Sequence, residues 1–256
     1  MLTRILTALV LAPLVIWLIM WGPPWGIATL IIGAAAACFL EIFQMVLPGR
    51  TLERVAGTLL GVGALVTFVF APVGYWSIVG AVALLVPPCV VLVRPEPIEG
   101  AALRMFTLWG ALLYLVATFA CALNLGKTPG ALMMSFLIIW CGDSGAYFVG
   151  KGIGAHKLYP LISPKKTVEG SIGGLIASAA VAYGMQGTLL PDVSTQTVLL
   201  AAVGGGALGQ IGDLVESALK RSANVKDSGS LLPGHGGMLD RLDGFLFAVP
   251  LFALLF

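Results

Sequence analysis

The chain has 256 residues, 59% of them apolar and 10% charged, with a mean hydropathy of +1.01. A typical soluble domain is roughly 45–50% apolar and 25% charged, so a soluble globular protein is excluded and an integral membrane protein is implied. The net charge of +2 gives no support for nucleic acid as a partner. The four cysteines, Cys38, Cys89, Cys121 and Cys141, lie in or beside apolar runs without a CxxC pair, which argues against disulfides and zinc.

A bilayer core about 30 Å thick takes about 20 helical residues, and backbone groups in lipid must bond within their own segment. Each long apolar run therefore predicts a helix. Nine runs follow one another, near residues 5–21, 25–46, 55–72, 74–94, 102–124, 129–149, 170–189, 195–219 and 242–256. Pro23 and Pro24, rather than a small-residue cleavage site, follow the first run, which is expected to be a retained span. The last is short for a full crossing.

Basic residues in short loops stay cytoplasmic, which tests this count independently. With the N-terminus inside, only Lys127 of the 14 basic residues falls outside. No repeat at a fixed period is present, and the chain reads as one membrane domain over 1–256. Its N-terminal half, 1–125, is mostly apolar filler; its C-terminal half, 126–256, carries most of the acids and both histidines. Chemistry is expected in the second half.

Within the sixth run, Asp143 sits about seven residues before the inner end, hence roughly 10 Å inside the membrane at 1.5 Å per residue. A carboxylate at that depth either pairs with a lysine of another helix or faces a wet cavity. Ser144 is its neighbour, and Tyr147 lies one turn further on the same face. The connection that follows ends in SPKKT, placing Lys165 and Lys166 just before a helix start with Thr167 as its cap. A helix N-terminus and two ammonium groups favour a phosphate, although ordinary positive-inside charge or attraction to anionic lipid is the commoner explanation of a lone lysine pair.

The eighth run ends in a stripe of Asp213, Glu216, Ser217 and Lys220, spaced i, i+3, i+4 and i+7. A glycine-rich stretch follows, in which His235, Gly236 and Gly237 allow backbone N–H groups to approach an anion. For His235 taken alone, a structural hydrogen bond is the favoured role. Asp240 and Asp243, with Arg241 between them, then share one face at the start of the last helix. Hard oxygen ligands here and at Asp213 suit Mg²⁺, which commonly takes one or two carboxylates together with substrate phosphates and waters.

From Ser217 to Asp243 the sequence also carries Leu219, Lys220, Arg221, Lys226, Asp227, Gly229, Leu232, Pro233, His235, Gly236, Gly237, Met238, Asp240, Arg241 and Leu242 at fixed spacing. This run resembles the signature of the phosphatidate cytidylyltransferases, or CDP-diacylglycerol synthases, and DSGAY and SPKKTVEG resemble the same family's second-half pattern. The resemblance implies an all-α polytopic membrane bundle and a homodimer. The activity it implies is condensation of CTP with phosphatidate to CDP-diacylglycerol and pyrophosphate, using Mg²⁺, at the cytoplasmic face of a bacterial-type inner membrane. By that likeness the metal would use Asp213 and Asp240, with Asp243 nearby. The catalytic set would comprise Asp213, Lys220, Lys226, Asp227, His235, Asp240, Arg241 and Asp243. Substrate would be met by Asp143, Ser144, Tyr147, Lys165, Lys166, Ser217, Arg221, Gly236 and Gly237. An ion-coupled secondary transporter is the alternative that intramembrane carboxylates and glycine-broken helices also allow.

Overall fold

Proline and glycine punctuate the apolar runs where helices begin and end. The computed structural model describes residues 2–231 and 236–256, with side chains described from residue 12 onward. The helices among these residues are α1 (Leu2–Trp21), α2 (Pro24–Val46), α3 (Thr51–Phe70), α4 (Trp76–Val93), α5 (Ala101–Leu125), α6 (Pro129–Ile153), α7 (Val168–Leu189), α8 (Thr195–Ser222) and α9 (Leu239–Leu255). Their ends agree with those expected from hydropathy to within a turn or so. Pro24 and Pro129 occupy the first helical positions, where a missing N–H costs nothing. Ser194 and Thr167 cap α8 and α7 by accepting from the N–H groups of Thr197 and Gly170, both at 3.1 Å.

Seven helices, α2 to α8, are long and apolar enough to cross a membrane. The side-chain-described part of α1, Ala12–Trp21, and the 17-residue α9 are shorter. Nine helical runs thus become helices, with seven among the described residues meeting the length and composition of a full crossing.

One element departs from an all-α reading. The connection between α6 and α7 folds into an antiparallel hairpin of β1 (Lys157–Tyr159) and β2 (Ser163–Thr167). Tyr159 and Ser163 face each other across it, and each precedes a proline, Pro160 and Pro164. A following proline pushes a residue out of the helical region into the extended one, so both strands are preset at the same rung. Glu169 in the first turn of α7 then ties the hairpin down, accepting from the backbone N–H groups of Ala155 at 3.1 Å and His156 at 3.2 Å.

Lipid tails give no hydrophobic drive for helices to associate, so close packing and interhelical hydrogen bonds must do it. A Cβ on Gly142 would lie 2.5 Å from Ser178 Oγ, and one on Gly145 would lie 2.5 Å from Ala177 Cβ. Accordingly α6 and α7 approach at backbone distance, with buried Ser178 donating to the carbonyl of Ile138 at 2.8 Å. Gln210 of α8 donates to the carbonyl of Ser171 at 3.0 Å, joining α7 to α8. In the first half, Phe39 and Phe43 of α2 fill the space over Gly61 and Gly57 of α3. Arg104 of α5 is buried there as well: it pairs with Glu53 of α3 at 2.6 Å and donates to the carbonyl of Arg94 at 3.0 Å.

Candidate functional site

The polar residues of the second half converge at one end of the bundle, where α8 finishes, α9 starts and the hairpin folds over. Helical spacing puts Asp213, Glu216, Ser217 and Lys220 on one face of α8, and this stripe divides by partner. Asp213 faces the hairpin: its Oδ2 lies 2.5 Å from Lys166 Nζ, and its Oδ1 accepts from Ser217 Oγ at 3.2 Å. Glu216 and Lys220 face α9. Lys220 Nζ stands 2.8 Å from Glu216 Oε2 and 2.6 Å from Asp240 Oδ1.

Asp240 is saturated by its own surroundings. Its second oxygen accepts from the N–H groups of Ser228 and Gly237, both at 2.9 Å, and its own N–H donates to Ser228 Oγ at 3.3 Å. Gly236 has φ +84°, and a Cβ there would lie 2.8 Å from Asp240 Oδ2. The anion that this glycine pair admits is therefore Asp240 itself, with the Gly237 N–H committed to it.

Asp243, one turn along α9, belongs to a different group. It interacts electrostatically with Asp213 and Asp143, so three helices, α6, α8 and α9, each bring one aspartate to the same region. Lys166 and Arg241 are opposing charges that act on Asp143. Glu216 Oε1, also close to Asp243, is buried and has no hydrogen-bond partner among the described residues.

The remaining residues expected at the site lie around this core. Arg221 donates to the carbonyl of Val225 at 3.0 Å, closing the end of α8. Lys165, Lys226 and Asp227 are exposed. The Ser144 hydroxyl turns back onto the carbonyl of Trp140 at 2.8 Å. Tyr147 is 61% exposed, with its ring edge-on to Phe148 and Lys151 over its face. His235 lies outside the described residues, together with Leu232, Pro233 and Gly234.

Among the described residues, no three His, Cys, Asp or Glu side chains form a ready-made metal cage. Mg²⁺ does not demand one, because it usually keeps waters and binds through one or two carboxylates plus substrate phosphates. Hard donors crowded together, with one buried oxygen left unpaired, fit such an ion at Asp213 and Asp243. Among the described residues Asp240 holds three donors, Lys220 and two backbone N–H groups, against the two, Lys166 and Ser217, on Asp213.

The sequence matches the cytidylyltransferase family over residues 2–256. The chain belongs to that family. Phosphatidate cytidylyltransferases of Staphylococcus saprophyticus, Staphylococcus epidermidis and Staphylococcus aureus are each 48% identical to it over 124 residues, which is 48% of this chain and 48% of each relative. The match thus spans about half the length of those relatives.

The candidate site also contains a residue outside the C-terminal half. Glu41 of α2 is 6% exposed and accepts from the N–H groups of Met238 at 2.8 Å and Leu239 at 2.9 Å and from Ser228 Oγ at 2.9 Å. One signal in the sequence points to it: Glu41 is the sole charged residue in the apolar run 25–46, and a charge inside a span marks a functional position by default.

Proposed function

We propose that the chain condenses CTP with phosphatidate, giving CDP-diacylglycerol and pyrophosphate, at the cytoplasmic face of a bacterial-type inner membrane. The carrying observation is the meeting of Asp143, Asp213 and Asp243 with Lys166 and Arg241 at one end of the bundle. The phosphatidate cytidylyltransferase relatives support the choice of substrates.

The reaction joins two anions, so most of the catalysis must come from positioning and from fixed positive charge. An oxygen of the lipid phosphate attacks the α-phosphorus of CTP in line. The new P–O bond forms as the bond to the β-phosphate oxygen breaks, and pyrophosphate leaves with that electron pair. The phosphatidate anion is already a competent nucleophile, so no covalent enzyme intermediate is required. Lys165 and Lys166, on the hairpin, together with Arg221, Lys226 and Arg241 supply the positive charge that the phosphates meet. Lys220 serves the protein instead, holding Glu216 and Asp240. Asp213 and Asp243 would hold Mg²⁺, which when bound would neutralise charge developing on the leaving group.

With the N-terminus inside and each helix before the hairpin crossing in turn, this end of the bundle lies on the cytoplasmic side, where CTP arrives, while the lipid reaches it sideways between helices. A homodimer is part of the same reading. An ion-coupled transporter is not supported: its site would lie near the membrane midplane and open to both faces, whereas these charges crowd at one end.

The test is pyrophosphate release by the purified protein with Mg²⁺. Release that requires both CTP and phosphatidate is expected. No release, or release that is independent of phosphatidate, overturns the reading.

A further inference from the structure

Glu41 stands in an apolar helix of the half that carries few polar residues, yet it touches both ends of the loop between α8 and α9. A buried carboxylate inside a membrane segment is costly unless something compensates it. Here the compensation is the start of α9. The first N–H groups of a helix have no partner within it, and they form its positive end. Met238, at the N-cap position of α9, contributes no side-chain cap. Glu41 caps α9 in its place, from a different helix, through charge-assisted bonds to Met238 and Leu239.

The loop is shaped around that carboxylate. A Cβ on Gly229 would lie 2.7 Å from Glu41 Oε1, and one on Gly237 would overlap both Glu41 Oε2 and Ser228 Oγ. Ser228 passes the contact on, donating to Glu41 and accepting from the N–H of Asp240. A continuous chain of hydrogen bonds and ion pairs therefore runs from Glu41 through Ser228, Asp240 and Lys220 to Glu216. Glu41 also borders a cavity of about 740 Å³ whose lining includes Leu40, Gln44, Asp227 and Ser230.

We propose that Glu41 is a positioning residue for cytidylyl transfer: it fixes the start and rotation of α9, and with them the placement of Asp243 against Asp213. The inference rests on the function proposed above. It accounts for three features of this chain together: a lone acid in α2, two glycines whose Cβ atoms would meet it, and a helix start with no side-chain cap of its own.

The experiment compares Glu41→Gln and Ser228→Ala with the unaltered protein, measuring kcat, KM for CTP and phosphatidate, and the melting curve. Assays run well below each variant's melting midpoint. Glutamine keeps the shape but replaces one acceptor oxygen by a donor that faces other donors. Because misplacement of about 1 Å costs on the order of a hundredfold in rate, kcat of Glu41→Gln is expected to fall tenfold to a hundredfold, by this rough scale, with both KM values unchanged. Ser228→Ala should show a smaller fall in the same direction. A folded Glu41→Gln protein with the original kcat overturns the positioning role, as does a loss that merely follows the unfolded fraction. If Glu41→Gln does not fold, Ser228→Ala decides, and an unchanged kcat overturns the role. Inactive unaltered protein overturns the reaction, and the positioning role with it; active unaltered protein with an equally active Glu41→Gln overturns positioning alone.

Discussion

Lys166 Nζ and Asp213 Oδ2 lie 2.5 Å apart, a contact that fastens the hairpin between α6 and α7 to the polar stripe of α8. Both side chains keep about a third of their exposure, 27% and 34%, so the pair is not sealed inside the bundle. A cation that balances a carboxylate in the resting protein can turn to a phosphate when one arrives.

Lys166→Ala should therefore damage function more than stability. A partly exposed ion pair is worth about 0–1 kcal/mol, so the melting midpoint should barely move. The loss of one phosphate cation should lower kcat/KM by about tenfold, equivalent to roughly 1.4 kcal/mol of transition-state stabilisation. Lys165→Ala, on an exposed residue, should do less. Steady-state kinetics with CTP and phosphatidate check this, and unchanged kinetics would return both lysines to ordinary positive-inside charge.

Lys220 presents the opposite case. It is largely buried between Glu216 and Asp240, and removing one partner of a buried charge pair costs about 3–5 kcal/mol because the other charges stay behind. Lys220→Ala should lower the melting midpoint of the purified protein strongly. A normal melting curve would mean that this triad does not hold α8 to α9.

Asn substitutions separate the two aspartates that the sequence treats alike. Asp213→Asn removes a charge that a hard cation requires, so residual activity should need much higher Mg²⁺. Asp240→Asn disturbs Lys220 and two backbone donors and should depress the melting midpoint, while the Mg²⁺ midpoint of the surviving activity stays normal. A Mg²⁺ titration and a melting curve on each variant give the answer. A shifted Mg²⁺ midpoint in Asp240→Asn alone would exchange the two roles.

Topology has its own check. A reporter fused after Lys165 should read cytoplasmic, and one fused after Asp192 external. The reverse pair would contradict the proposed orientation and the count of crossings with it.

The helices were legible because a membrane span needs a long unbroken apolar stretch, and that signal is local. The α8 stripe and the Thr167 cap were legible for the same reason, being set by spacing over a few residues. The hairpin was not, since β1 and β2 hold 3 and 5 residues, too short for a visible alternation; only the two pre-proline positions hinted at it. The surroundings of Asp240 were hidden because two of its partners are backbone N–H groups, which no residue type announces. Glu41 was the hardest, since its partners lie 187 to 198 residues away along the chain, and an apolar neighbourhood makes a single acid easy to pass over.

The central claim is that this family member moves a cytidylyl group onto a lipid phosphate. The most direct measurement uses CTP labelled at its α-phosphorus and, in parallel, at its γ-phosphorus, with purified protein, Mg²⁺ and phosphatidate vesicles. The account predicts that the α-label passes into the lipid phase and the γ-label into free pyrophosphate, with both transfers lost in a folded Asp213→Asn variant. The γ-label appearing in lipid, or no label entering lipid at all, would contradict it.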